Sequence, residues 1–154
     1  MTIVEHVLWV QGVPAPQGSK TAYSGTRANG SRYTNVVESG KAKLGPWRSY
    51  VTAAAAGRGG APPGAEVRVK VVFYLPRPRA HYGTGRNAGR LRPAAPSFCA
   101  KKPDVDKLLR AVLDGLTDSG LIRDDAQVVS CYAVKRYADV PVGPGARVVV
   151  GWDE

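Results

Sequence analysis

The stretch Lys101-Lys102-Pro103-Asp104-Val105-Asp106-Lys107-Leu108-Leu109-Arg110-Ala111-Val112-Leu113-Asp114-Gly115-Leu116 decides the fold, and Leu121-Ile122-Arg123-Asp124-Asp125-Ala126-Gln127-Val128-Val129 follows it. Apolar residues at 105, 108, 109, 112, 113 and 116 have the spacing of a helix with one buried face. Pro103 bars backward extension and Asp104 is a good N-cap, so the helix starts at the first aspartate. Asp106, Arg110 and Asp114 recur every four residues and share the polar side. Asp118-Ser119-Gly120 ends the helix, and the pair Asp124-Asp125 stands just before a run that reads as a strand. Four carboxylates are thus expected to meet where a helix begins and a strand begins, with the rest of the chain as their holder.

Working outward, Ile3 to Val10 reads as a strand with apolar residues on both faces, the mark of a central position. From Gly12 to Gly45 the chain is rich in Gly, Ser, Asn, Lys and Arg, with Tyr23 and Tyr33 interspersed; it reads as a long surface loop or a hairpin. Pro46 to Ala56 reads as a helix with proline in its first turn. Val67, Val69, Val71, Phe73 and Leu75 alternate along the clearest strand, Glu66 to Leu75. Pro76 to Ala100 has four prolines, three glycines, five arginines and no periodicity, so it reads as a long basic loop, mobile when free. Strands at Val128–Tyr137 and Arg147–Trp152 complete the chain. The expectation is one α/β (α+β) domain over residues 1–154, in the order β-α-β-α-β-β, with helices packed on a mixed sheet.

The 154 residues carry a net charge of +10. That balance points to a polyanionic partner, most simply nucleic acid. From Arg77 to Lys102 there are seven Lys or Arg and no acid, whereas six of the twelve acids lie between Asp104 and Asp125. Such concentration suits a polyanion binder with a metal-holding centre, because without a cation those acids would repel the phosphates. No stretch approaches the roughly 20 apolar residues that span a bilayer, and no signal pattern opens the chain, so a soluble cytoplasmic protein without a membrane partner is expected. Cys99 and Cys131 read as free thiols.

The acids admit two readings. Asp104 as a cap, and in part Asp106, follow from helix-terminus electrostatics alone. A turn before a strand would use one of Asp124 and Asp125, leaving the other surplus. The catalytic reading needs a hard divalent cation such as magnesium, held by Asp104, Asp106 and Asp125. In a continuous helix Asp104 and Asp106 would diverge by roughly 200°; they converge only because the backbone changes conformation between them. The cation would activate water and stabilise charge on a phosphoryl oxygen, with Arg110 or Lys107 supporting that charge.

The run Pro103-Asp104-Val105-Asp106-Lys107-Leu108-Leu109-Arg110, continued by Gly120-Leu121-Ile122-Arg123-Asp124-Asp125-Ala126-Gln127-Val128-Val129, resembles the RusA-type Holliday junction resolvases of bacteria and phages. The resemblance is strong over 103–137 and loose elsewhere. It implies a homodimeric endonuclease that needs Mg2+ or Mn2+, binds four-way DNA junctions and makes paired symmetric nicks with 5′-phosphate and 3′-hydroxyl ends, in recombination and repair. The family's metal-binding aspartates fall on Asp104, Asp106 and Asp125, with Asp124 a supporting acid. Its catalytic lysine falls on Arg110, which keeps the charge but cannot donate a proton at neutral pH. The basic side chains Lys20, Arg27, Arg32, Arg77, Arg79, Arg86, Arg90, Arg92, Lys101, Lys102 and Lys107 would hold the junction arms. The alternatives are a non-catalytic basic nucleic-acid-binding protein and a nuclease acting on other branched DNA.

Overall fold

A computed structural model describes residues 2–18, 20–38, 41–139 and 142–154, with side chains at all of these but 20–23, 35–38 and 41–42. In chain order the elements are β1 (Ile3–Gln11), β2 (Lys20–Thr26), β3 (Arg32–Glu38), α1 (Lys41–Ala55), β4 (Val67–Leu75), α2 (Val105–Ser119), β5 (Val128–Tyr137) and β6 (Gly145–Asp153). The main sheet has the order β1-β6-β4-β5. β6 is antiparallel to both its neighbours, with Leu8 opposite Val148 and Val69 opposite Val150, while β4 and β5 run parallel. A parallel pair needs a crossover between its strands, and α2 supplies it.

One face of this sheet carries the core. β4 alternates Val67, Val69, Val71, Phe73 and Leu75 inward, all buried. Leu8 and Val10 of β1, and Val148, Val150 and Trp152 of β6, join them. Onto this face α1 lays Trp47, Val51 and Ala55, and α2 lays Leu108, Ala111, Val112 and Leu116. The two helices cross at Gly115, where a Cβ would stand 2.7 Å from Val51 Cγ1, so only glycine permits this approach. The mixed α+β architecture is the expected one, with helices packed on a mixed sheet.

Five expectations are corrected in detail. The expected order β-α-β-α-β-β begins β-β-β-α instead, because of the two readings of the basic segment after β1 the hairpin holds: β2–β3 forms its own two-stranded sheet, with Thr26 opposite Arg32 at its tip. α1 starts five residues before Pro46, which sits inside the helix. β1 is an edge strand whose Ile3, Val7 and Trp9 are exposed: its second apolar row lies on the face that the helices do not cover. On α2, Val105 is exposed and Leu109 and Leu113 are half-buried. Their places are taken by Ala111 and Gly115, because close helix packing favours small residues on the contact line.

The segment after β4 is the fifth. It is built from two 3-10 turns, Arg79–His81 and Gly85–Asn87, and from ladder-like bonds of Gly83 N–H to Arg90 C=O (2.8 Å) and Arg92 N–H to His81 C=O (2.8 Å). Arg77 fastens it. Its side chain is 5% exposed, donates to the Pro96 carbonyl (2.7 Å), pairs with Asp139 (3.3 Å) and lies over the Tyr137 ring. The segment is therefore ordered by its own bonds rather than loose.

Candidate active site

The head of α2 is assembled from four directions. Asp104 holds the N-cap position with an extended backbone, yet its carboxylate accepts no bond from the first turn. Its Oδ2 lies 3.7 Å from Lys107 Nζ instead, and both side chains are about half exposed. Asp106 and Arg110 are exposed on the following turns. Lys135 of β5 donates from Nζ to the carbonyls of Lys101 (2.6 Å) and Pro103 (2.8 Å), which ties the approach to α2 onto the end of the sheet. From the segment after β1, Gln17 N–H donates to the Lys107 carbonyl at 3.0 Å. Sequence reading missed Lys135. The available signal was a lysine in phase with Cys131, Ala133 and Tyr137, on the side of β5 that faces the helices.

The tail of α2 holds the other acids. Asp124 caps a 3-10 turn, Asp125–Gln127, by accepting from Ala126 N–H at 2.8 Å. Gln127 clamps the same turn: its Oε1 accepts from Arg123 N–H (3.1 Å) and its Nε2 donates to the Pro62 carbonyl (2.6 Å). The turn thus uses one acid of the pair and leaves Asp125 surplus and exposed. Asp125 Oδ1 is 3.2 Å from Thr117 Oγ1 in the last turns of α2. Nearby, Arg48 of α1 bonds Asp118 through Nε (2.6 Å) and Nη2 (3.1 Å) and stands 3.8 Å from Asp114. The Arg48 bonds hold the Asp118 carboxyl below the usual range. Asp114 is pushed up, by burial first and by Asp125 and Asp118 as well, against the pull of Arg48 and Arg110. Burial and Asp125 also raise the Cys131 thiol.

Head and tail are far apart. α2 has 15 residues, hence a length of about 22 Å at 1.5 Å per residue. β5 gives a second ruler: Asp125 precedes its first residue, whereas Lys135 near its end touches Pro103. Magnesium–oxygen bonds are about 2.0–2.1 Å, so no single ion reaches Asp104 and Asp125 of one chain. Among the described residues no group of three or more Asp, Glu, His or Cys is arranged to hold a metal. The expected meeting of four carboxylates does not occur within one chain. The reason is topological: a helix joining two parallel neighbours runs back along the sheet, leaving its head by the end of β5 and its tail by the start.

What the head does offer suits a hard cation. Asp104 and Asp106 provide oxygen donors on two successive backbone conformations, and the Asp104 carboxylate is not spent on capping.

Of the basic residues, Arg77 is turned inward as described, so its expected role in holding DNA is corrected: it holds the loop. Arg79, Arg86 and Arg90 are exposed on that loop, and Arg92 is exposed with its Nε bonded to the Tyr82 carbonyl at 3.0 Å. Arg27 and Arg32 are exposed at the hairpin tip, where the Arg27 guanidinium lies over Tyr33. Lys101 and Lys102 are exposed just before Asp104. Lys20 opens β2, and its side chain lies outside the described residues.

A sequence profile for endodeoxyribonuclease RusA matches residues 15–150, which takes in the hairpin, the basic loop and both ends of α2. The chain belongs to the RusA endodeoxyribonuclease family. A search of curated proteins finds no match. Membership of the RusA family makes the protein a DNA endonuclease of the Holliday-junction class. No helix among the described residues is long and apolar enough to cross a membrane.

Proposed function

We propose that the protein, as one domain, is a magnesium-dependent endonuclease that resolves four-way DNA junctions by paired symmetric nicks with 5′-phosphate and 3′-hydroxyl ends. Manganese substitutes for magnesium. We further infer a homodimer in which Asp104 and Asp106 of one copy work with Asp125 of the other. The observation that carries this reading is the Asp104 carboxylate: it stands at a helix head, it is left out of capping, and Lys101, Lys102 and Lys107 lie around it.

Asp104 and Asp106 would hold the cation, and Asp125 would complete its ligands from the second copy. When bound, the cation supplies Lewis-acid stabilisation of charge on a phosphoryl oxygen. The chain's own residues do the remainder. Lys101, Lys102 and Lys107 draw the backbone phosphate to the helix head, offsetting the repulsion of the acids. Arg110, one turn beyond Asp106, stabilises negative charge as it develops, electrostatically and without proton transfer. Asp124, whose Oδ1 accepts the Ala126 N–H, would stand beside Asp125 as a supporting acid.

The test compares a labelled synthetic four-way junction with a linear duplex of matching sequence, with and without magnesium, for the native protein and Asp106→Asn. Symmetric nicks on the junction alone, only with metal and absent from the variant, are expected. The variant should still bind the junction, as tightly or more so, because one repelling charge is gone. Nicking by the variant at the native rate would overturn the metal assignment, and cutting of forks or flaps in preference to the junction would redirect the substrate.

A further inference from the structure

The segments after β1 and β4, the first half of α1 and the head of α2 line an open cavity of about 930 Å3, at the upper end of the roughly 300–1,000 Å3 typical of ligand sites. Tyr50 of α1 gives it an aromatic wall, Lys43, Lys101, Lys102 and Lys107 line it, and Asp104 is the one acid in that lining among the described residues. We propose that this cavity takes one unstacked nucleotide of the DNA strand beside the phosphate that is cut. The inference rests on the endonuclease reading above.

Three observations point to a nucleotide rather than to an apolar peptide. First, the cavity adjoins the head of α2 and is open to solvent, so a strand lying at Asp104 can reach into it. Second, the Tyr50 ring is fixed from behind. At Gly12, where φ is +130°, a Cβ would stand 3.0 Å from the ring, so glycine lets the backbone close up against it. A flat ring held in place and half exposed is a stacking surface for any base. Third, the wall sets four lysines around Asp104, Lys107 at 3.7 Å from it. Phosphates flanking a base would rest on the lysines, and the carboxylate marks which of them lies at the reacting centre.

The experiment is a binding scan in EDTA, where nothing is cut, using four-way junctions that each lack one base in turn across the exchange point. One abasic position is expected to weaken binding at least about fivefold, the range of a lost base–aromatic stack. With Tyr50→Leu, which alters a half-exposed position, the intact junction should bind that much more weakly and the abasic junction no worse than the intact one. Such non-additivity shows that base and ring touch. Uniform binding across the scan, or losses that multiply in Tyr50→Leu, would overturn the pocket while leaving the nuclease intact. Equal binding of junction and linear duplex would instead bring down the junction-resolving reading, and the pocket with it.

Discussion

Two inactive variants should restore activity to each other when mixed. α2 sets Asp106 and Asp125 of one chain about 16 Å apart, since Asp125 lies against Thr117, so a site that uses both would draw them from different copies. In a two-fold dimer of Asp106→Asn with Asp125→Asn, one site combines both lesions and the other combines both native residues. Random mixing in equal amounts makes about half the dimers mixed, each with one sound site of two. The mixture should therefore nick junctions with about a quarter of the native sites, against none for either variant alone. The assay is single-strand nicking of an end-labelled junction after unfolding and refolding the variants together, with tag-based co-purification to show that mixed dimers form. Paired nicks within one binding event should stay absent, because no dimer has two sound sites. Zero recovery in a preparation containing mixed dimers would refute the shared site, since a site lying within one chain carries a lesion in every case.

Two further outcomes concern the scaffold. Gly115→Ala should destabilise by about 1–2 kcal/mol, the overpacking against Val51 less the helix-propensity gain; the melting temperature falls by about 2–8 °C, and Val51→Ala in the same chain restores part of it. Equal losses with and without Val51 would show that the contact is not the cause. Asp118→Asn should cost about 0.5–1 kcal/mol at neutral pH, as half-exposed ion pairs do. The native pKa of Asp118 is lowered, so its contribution is present above the unfolded value near 3.9 and lost as pH falls through the native one. The gap between urea titrations of the two proteins should then begin to narrow below about pH 4 and go on narrowing as pH falls. A gap that does not narrow as pH falls below about 4 would mean that Asp118 acts through something other than its charge.

The elements carrying the site were readable because their signals are local. Asp104 begins a helix after Pro103, and Val67 to Leu75 alternate without a break, so both boundaries fall within a residue of expectation. The surplus acid was readable too: a turn before a strand has room to use Asp124 and no need of Asp125. Other features depend on partners that composition does not announce. β2 and β3 pair only with each other, so no buried face imposes alternation on them. Gly45-Pro46 ordinarily marks a boundary, yet Leu44 and Trp47 on either side are both buried, and that packing carries α1 across it. The direction of Arg77 depends on Pro96 and Asp139, 19 and 62 residues away. The distance between Asp104 and Asp125 is a matter of topology, visible only once β4 and β5 are known to be parallel neighbours.

The inward turn of Arg77 has a thermodynamic meaning for its neighbours. Fixing the backbone of a residue in one conformation costs about 1–2 kcal/mol, and a segment that becomes ordered only on meeting its ligand subtracts that cost from its affinity. Here the segment carries its own bonds without a ligand, and one arginine withdrawn from the surface anchors it. Arg79, Arg86 and Arg90 are thereby displayed at fixed spacing on a preorganised frame. Such a frame favours a polyanion whose phosphates match that spacing over one that offers only charge. The arginine that touches no ligand is the one that turns a basic loop from an electrostatic attractor into a template.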